Sequence, residues 1–150
     1  MTATVPCAVP ASLLNLDATF LPIGKMRQIA RVTHLAGPTI EGEVDLGPDH
    51  WIFSSHFPGD PIFPGTMIIE AAGQLVALWA WANGLQGRPR LVRTSSEFHQ
   101  PSGPEASHLV LRAEVRRKRH LHFATIEVWG AGVHVATVEA VLAVLGSRDS

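Results

Sequence analysis

Two side chains in this sequence have the types and spacing to move protons. His56 opens the run HFPGDPIFPGTMIIEAAGQLVALWAWAN (56–83), and an imidazole titrates close enough to neutrality to serve as a general base. Glu70 interrupts a segment, 66–82, that is otherwise apolar almost all round. An isolated ionised carboxylate in such a place costs several kcal/mol unless it is paired or protonated. Kept protonated, the same group is a general acid. Gln74, the second interruption, lies four residues on and therefore shares a helical stripe with Glu70.

These groups need two elements to position them. Residues 56–64 carry Pro58, Pro61 and Pro64, and each proline pushes its predecessor away from helical geometry. The pattern predicts a stiff, extended loop that delivers His56 to Glu70. Residues 66–82 read as a helix in the middle of the molecule, because a helix apolar on every face must be covered on every face. Asn83-Gly84 is a suitable left-handed terminator.

At 150 residues the chain is long enough for a single well-buried domain. A net charge of −1 with 17% charged residues argues against a general nucleic-acid binder. The one cysteine, Cys7, excludes an internal disulfide framework and fits a reducing cytoplasm. MTATVPCAVPASLL lacks a basic start and is broken by Pro6 and Pro10, so it is a poor signal peptide. The 66–82 run falls just short of a membrane span and carries Glu70 and Gln74, so no membrane association is expected.

The remaining chain is rich in strand patterns. Residues 1–20 show little periodicity and read as a loosely ordered lead-in. MRQIARVTHL (26–35) and TIEGEVDL (39–46) read as an antiparallel hairpin turning at Gly37-Pro38. Strands are expected at 88–100, 107–115, 121–130 and 133–145, with a tight Gly130-Ala131-Gly132 turn between the last two. Five to six strands and one long helix, about 65–83, imply an α+β domain with an antiparallel sheet wrapped around that helix. Long edge strands invite pairing with another chain, so an oligomer, most simply a symmetric dimer, is expected.

HFPGDPIFPGTMIIEAAGQL resembles the signature of the 3-hydroxyacyl-acyl-carrier-protein dehydratases: His-Phe-Pro, two further prolines, Gly, then an acidic residue and Gln at the family's offsets. The resemblance is dense over 56–75, extends in order across 21–145, and continues weakly at EFHQPSGPEASHLVLRAEVRR. It implies the hot-dog fold and dehydration of a 3-hydroxyacyl thioester to a trans-2-enoyl thioester without a cofactor, in fatty-acid or polyketide-type chain synthesis. It also implies an acyl carrier protein as partner, and a dimer in which His56 of one chain works with the acidic residue of the other.

The residues suit that reaction. His56 is the base for the proton next to the carbonyl, and Glu70 the acid for the departing hydroxyl. A helix N-terminus can stabilise the charge growing on the thioester oxygen, and Gly65, after Pro64, has no side chain to block the approach. Gln74 matches a family position that supports the acid, and Phe57 and Pro64 complete the motif around the base.

Plainer readings stand beside these. A loop histidine is commonly just polar, a glutamate in an apolar helix can be a structural hydrogen-bond partner, and Gly65 can simply permit the bend. The spacing favours the catalytic reading for His56 and Glu70. Trp79 and Trp81 read as packing residues, and His120 and His122 as a polar strand face and not a metal site. The basic run Arg116–His120 reads either as a solvated turn or as docking for an acidic carrier protein, and Arg88, Arg90 and Arg93 form a second such patch.

The chain also departs from the family. Residues 21–32 lack the usual aromatic entry strand, there is no tyrosine, and 101–107 replaces a more regular turn. Those changes leave the acyl chain and the partner subunit open. An enoyl isomerase or a thioesterase on the same scaffold is an alternative, as is one subunit of a heterodimer with a homologue. Glu at position 70, where isomerising relatives tend to carry Asp, leans toward dehydration alone.

Overall fold

The computed structural model describes residues 9–146. Cys7 and the first half of the N-terminal stretch weighed above as a signal peptide lie outside them.

Period-two patterning becomes strand throughout. β1 (Arg31–Ala36) and β2 (Thr39–Leu46) form a hairpin turning at Gly37, whose φ is +54°. On β2 the alternate residues Ile40, Val44 and Leu46 are buried. After helix α1 (Gly65–Ala82) come β3 (Gly87–Phe98), β4 (Ser107–Lys118), β5 (Leu121–Gly130) and β6 (Val133–Gly146). At the β5–β6 turn Ala131 and Gly132 both take positive φ, as a two-residue primed hairpin turn requires.

The six strands form one antiparallel sheet in the order β1-β2-β4-β5-β6-β3. The sheet packs around α1, which buries Ile68, Ala71, Ala72, Leu75, Val76, Leu78 and Trp79 against the inward residues of the sheet. This is the α+β, hot-dog architecture expected from the sequence. Where α1 crosses β2 the Leu75 side chain packs directly on Gly42: a Cβ there would sit 2.9 Å from Leu75 Cδ1 and 3.0 Å from the Arg31 carbonyl oxygen. Among the described residues no helix is long and apolar enough to cross a membrane.

Several local expectations need correction. Residues 26–30 are not strand, because their backbone is bonded largely outside the sheet; β1 starts only at Arg31. The end of the lead-in is docked and not loose: two 3-10 turns, Ala11–Leu13 and Leu16–Ala18, bury Leu13 and Leu16 in the core. β4 runs on to Lys118, so the basic run is mostly strand, with Arg119 and His120 making the turn to β5.

His120 and His122 do not form a polar face. His120 is in the exposed turn, while His122 points inward, fully buried, edge-on to Trp79 at 5.9 Å. Burial lowers the pKa of His122 from its ordinary value, so the ring is held neutral. Trp79 is itself core, its indole N–H donating to the Gly37 carbonyl at 2.9 Å, and Trp81 packs edge-on against Phe20.

Candidate active site

The loop that carries His56 is compact and not extended along its whole length. Phe57-Pro58-Gly59-Asp60 folds into a tight turn, with reciprocal backbone hydrogen bonds of 2.9 Å between Phe57 and Asp60. Proline at the second position and Gly59 at φ +79° in the third are what a type II turn demands. Ile62 N–H then donates to the His56 carbonyl at 2.9 Å, closing the loop on itself. The His56–Phe57 peptide bond is cis. The 101–107 segment braces this loop: Phe63 N–H donates to the buried Ser102 carbonyl at 2.7 Å, and a Cβ on Gly103 would lie 2.8 Å from the Pro61 oxygen.

Within this frame the His56 ring is oriented by one hydrogen bond and one stacked ring. Nδ1 lies 3.0 Å from the Ile62 carbonyl oxygen. A carbonyl only accepts, so in the neutral ring Nδ1 carries the hydrogen and Nε2 the lone pair. The exposed Phe57 ring stacks on the imidazole at 4.0 Å. Pro64 is buried at the helix cap, where its carbonyl accepts from Met67 and Ile68. Among the described residues neither Gly65 N–H nor Thr66 N–H meets an acceptor. These two orphan donors are the ones that the start of a helix offers to an anionic oxygen. The Phe98 ring lies over Gly65 so closely that a Cβ there would be 2.8 Å from it.

Glu70 is half-buried on a stripe of α1 that the described residues leave partly uncovered, with Thr66, Ile69, Gly73 and Ala77. Its Oε2 accepts from Gln74 Nε2 at 2.9 Å, and Oε1 has no partner among the described residues. Gln74 is only 3% exposed and fully satisfied. Its Oε1 accepts from the N–H groups of Gln28 (2.9 Å) and Ile29 (3.2 Å), while Nε2 also donates to the Met26 carbonyl at 2.7 Å. Two N–H donors on one side and a carbonyl on the other fix which end of the amide is which. Gln74 therefore donates to Glu70 Oε2, and Oε1 is the oxygen left open toward the cleft side.

Glu70 and Gln74 line a cleft of about 270 Å³ between α1, the 21–22 segment and the free edge of the sheet, with Pro89, Leu91 and Leu142 as its apolar wall. His56 does not line it, and no hydrogen bond or ion pair joins His56 to Glu70 within the chain. Each chain thus presents the His56 imidazole and the Glu70 carboxyl group in separate places. A larger depression, about 780 Å³, lies on the outer face of the sheet and contains none of the site residues.

Sequence reasoning missed three contributors: the 26–29 backbone that holds Gln74, the β3 and β6 wall of the cleft, and Phe98. An aromatic near the end of an expected strand, within the weakly matching EFHQPSGP stretch, was the available signal for Phe98.

Solved structures of similar fold include the dehydratase heterocomplex ApeI:P from Xenorhabdus doucetiae (TM-score 0.74, 15% identity, covering 91% of this chain and 94% of that one). AziG from S. sahachiroi (TM-score 0.56, 17% identity, 77% and 90%) and the putative thioesterase yhdA from Lactococcus lactis (TM-score 0.60, 12% identity, 73% and 83%) share the fold as well. At such identities the likeness is one of architecture. In sequence, residues 21–139 match the family described as FabA-like domain, a span that includes the loop, the helix and five of the six strands whole. The chain belongs to the FabA-like family of hot-dog proteins.

Proposed function

We propose that the protein dehydrates 3-hydroxyacyl thioesters borne on an acyl carrier protein to trans-2-enoyl thioesters, in fatty-acid or polyketide-type chain synthesis. The observation that carries this reading is the Nδ1 contact to the Ile62 carbonyl, which leaves His56 Nε2 as the basic nitrogen. Nε2 takes the proton from C2 of the substrate. Charge moves onto the thioester oxygen, where the free Gly65 and Thr66 N–H groups receive it. The C3–O bond breaks as Glu70 Oε1 supplies its proton to the hydroxyl, and water leaves. Passing the proton from His56 back to Glu70 restores the starting state.

The base and the acid come together across a dimer. β3 is an edge strand of twelve residues with Leu91, Val92 and Phe98 all about half exposed. An unpaired edge of that length, with exposed apolar residues at both the Leu91–Val92 step and Phe98, suits a second copy of the chain. It borders both the Glu70 cleft (Leu91) and the helix start (Phe98), so pairing there brings His56 of one protomer toward Glu70 of the partner subunit.

Carrier docking is supported by the register. Arg116 on β4 aligns through Phe123 and Val141 with Arg93 on β3, and Lys118 aligns through Leu121 and Ala143 with Arg90. The two basic patches of the sequence are one band across the outer face, able to steer an acidic partner.

Incubation with a 3-hydroxyacyl carrier substrate should yield the enoyl product by mass and ultraviolet absorbance, and His56→Ala and Glu70→Ala should each abolish it. Hydrolysis to the free acid would indicate a thioesterase instead. A second reading is favoured by the likeness over nearly the whole chain to a member of a dehydratase heterocomplex: the protein works as one half of a heteromer. Activity appearing only with a co-expressed homologue would select it.

A further inference from the structure

Gly73 lies in the interior of an 18-residue helix, where glycine is less stable than alanine, so its presence needs a cause. Backbone geometry supplies none, since its φ lies outside the positive range. Packing supplies none either: a Cβ at this position would meet only Leu142 Cδ1, at 3.9 Å, an ordinary contact. Gly42, Gly65 and Gly130 differ, each having a neighbour within 2.9 Å of the same construction. What Gly73 does border is the Glu70 cleft, with Leu91 and Leu142 opposite. It is three residues past Glu70 on the uncovered stripe, about 4.5 Å further along the axis.

We infer that Gly73 is a specificity-determining residue: it is the floor of the acyl slot, kept without a side chain so that substrate carbons beyond C3 can pass. This rests on the dehydratase reading above. With Glu70 at the C3 hydroxyl, the rest of the acyl chain has to leave through the same cleft, and Gly73, Leu91 and Leu142 are the apolar surfaces there. At about 270 Å³ the cleft is just below the usual size of small-molecule sites, so a few added carbon atoms on its floor change what fits.

The test compares wild type, Gly73→Ala and Gly73→Val on four-carbon and eight-carbon 3-hydroxyacyl carrier substrates, together with melting temperature and dimer mass. Gly73→Val should lower the ratio of kcat/KM for eight over four carbons at least tenfold, and Gly73→Ala by a smaller factor in the same direction. Gly73→Ala should melt about 2 °C higher than wild type with its oligomeric mass unchanged. Equal effects on both substrates, or no effect, would overturn the inference. A drop in melting temperature or loss of the dimer in Gly73→Ala would also overturn it, by assigning the residue to packing. If the wild type dehydrates neither substrate, the enzyme reading falls first and takes this one with it.

Discussion

Replacing Gln74 by leucine removes every polar contact of the side chain on which the acid and the 26–29 segment both depend. Leucine is of similar length, so the hole it leaves is small and the polar loss dominates. Two buried N–H groups, those of Gln28 and Ile29, lose their acceptor. Each stranded group costs about 1–3 kcal/mol, which gives a loss of about 2–6 kcal/mol in total. The Met26 carbonyl adds little, because that residue is half exposed and water can replace the amide. Against the roughly 5–15 kcal/mol that holds a domain together, the loss is severe. Urea unfolding followed by tryptophan fluorescence, at one fixed protein concentration, should show a lower midpoint with an unchanged slope. Turnover of the folded fraction should fall as well, since Glu70 loses the Gln74 donor. A stability loss under about 1 kcal/mol would refute the idea that Gln74 ties the acid to the chain before β1.

Two further outcomes follow from the packing. Burial sets the folded pKa of His122 below the ordinary 6.5, and that of His50 likewise. The unfolded chain then takes up protons first, so stability is full above pH 6.5 and declines as the pH falls through the depressed folded values; His122→Leu should flatten that decline in urea midpoints measured between pH 8 and 5, and an identical slope would contradict the assignment. At Gly42 any side chain collides with Leu75 and the Arg31 carbonyl, so Gly42→Val should destabilise by about 1–3 kcal/mol in the same assay, and a neutral result would show that α1 does not cross β2 that closely.

Much of the fold was legible because strand and helix leave different periods. TIEGEVDL alternates and becomes β2 over the same eight residues, and the helix stops where Gly84 supplies a φ of +94°. Residues 26–30 were misread because they carry a strand-like pattern while their partner is a side chain 46 residues away, which no local pattern can announce. His122 was misread because a histidine at an inward position reads as polar, yet register alone put it beside Trp79. The loop prolines foretold stiffness, but the turn at Phe57–Asp60 depends on Pro58 and Gly59 acting together. Of the site, the residue types and order were visible in the motif. That Glu70 leans on Gln74 and that His56 turns to Ile62 were not, because both are contacts of orientation.

The central claim is that His56 of one protomer acts with Glu70 of the partner subunit, and subunit mixing tests it most directly. His56→Ala and Glu70→Ala proteins, each inactive alone, are exchanged and the mixed dimers verified by tag purification or mass. A cross-subunit site predicts recovery of about a quarter of the wild-type rate, since half of the randomly exchanged dimers then carry one intact site of two. No activity in verified mixed dimers, with both parents folded and dimeric, would contradict the account.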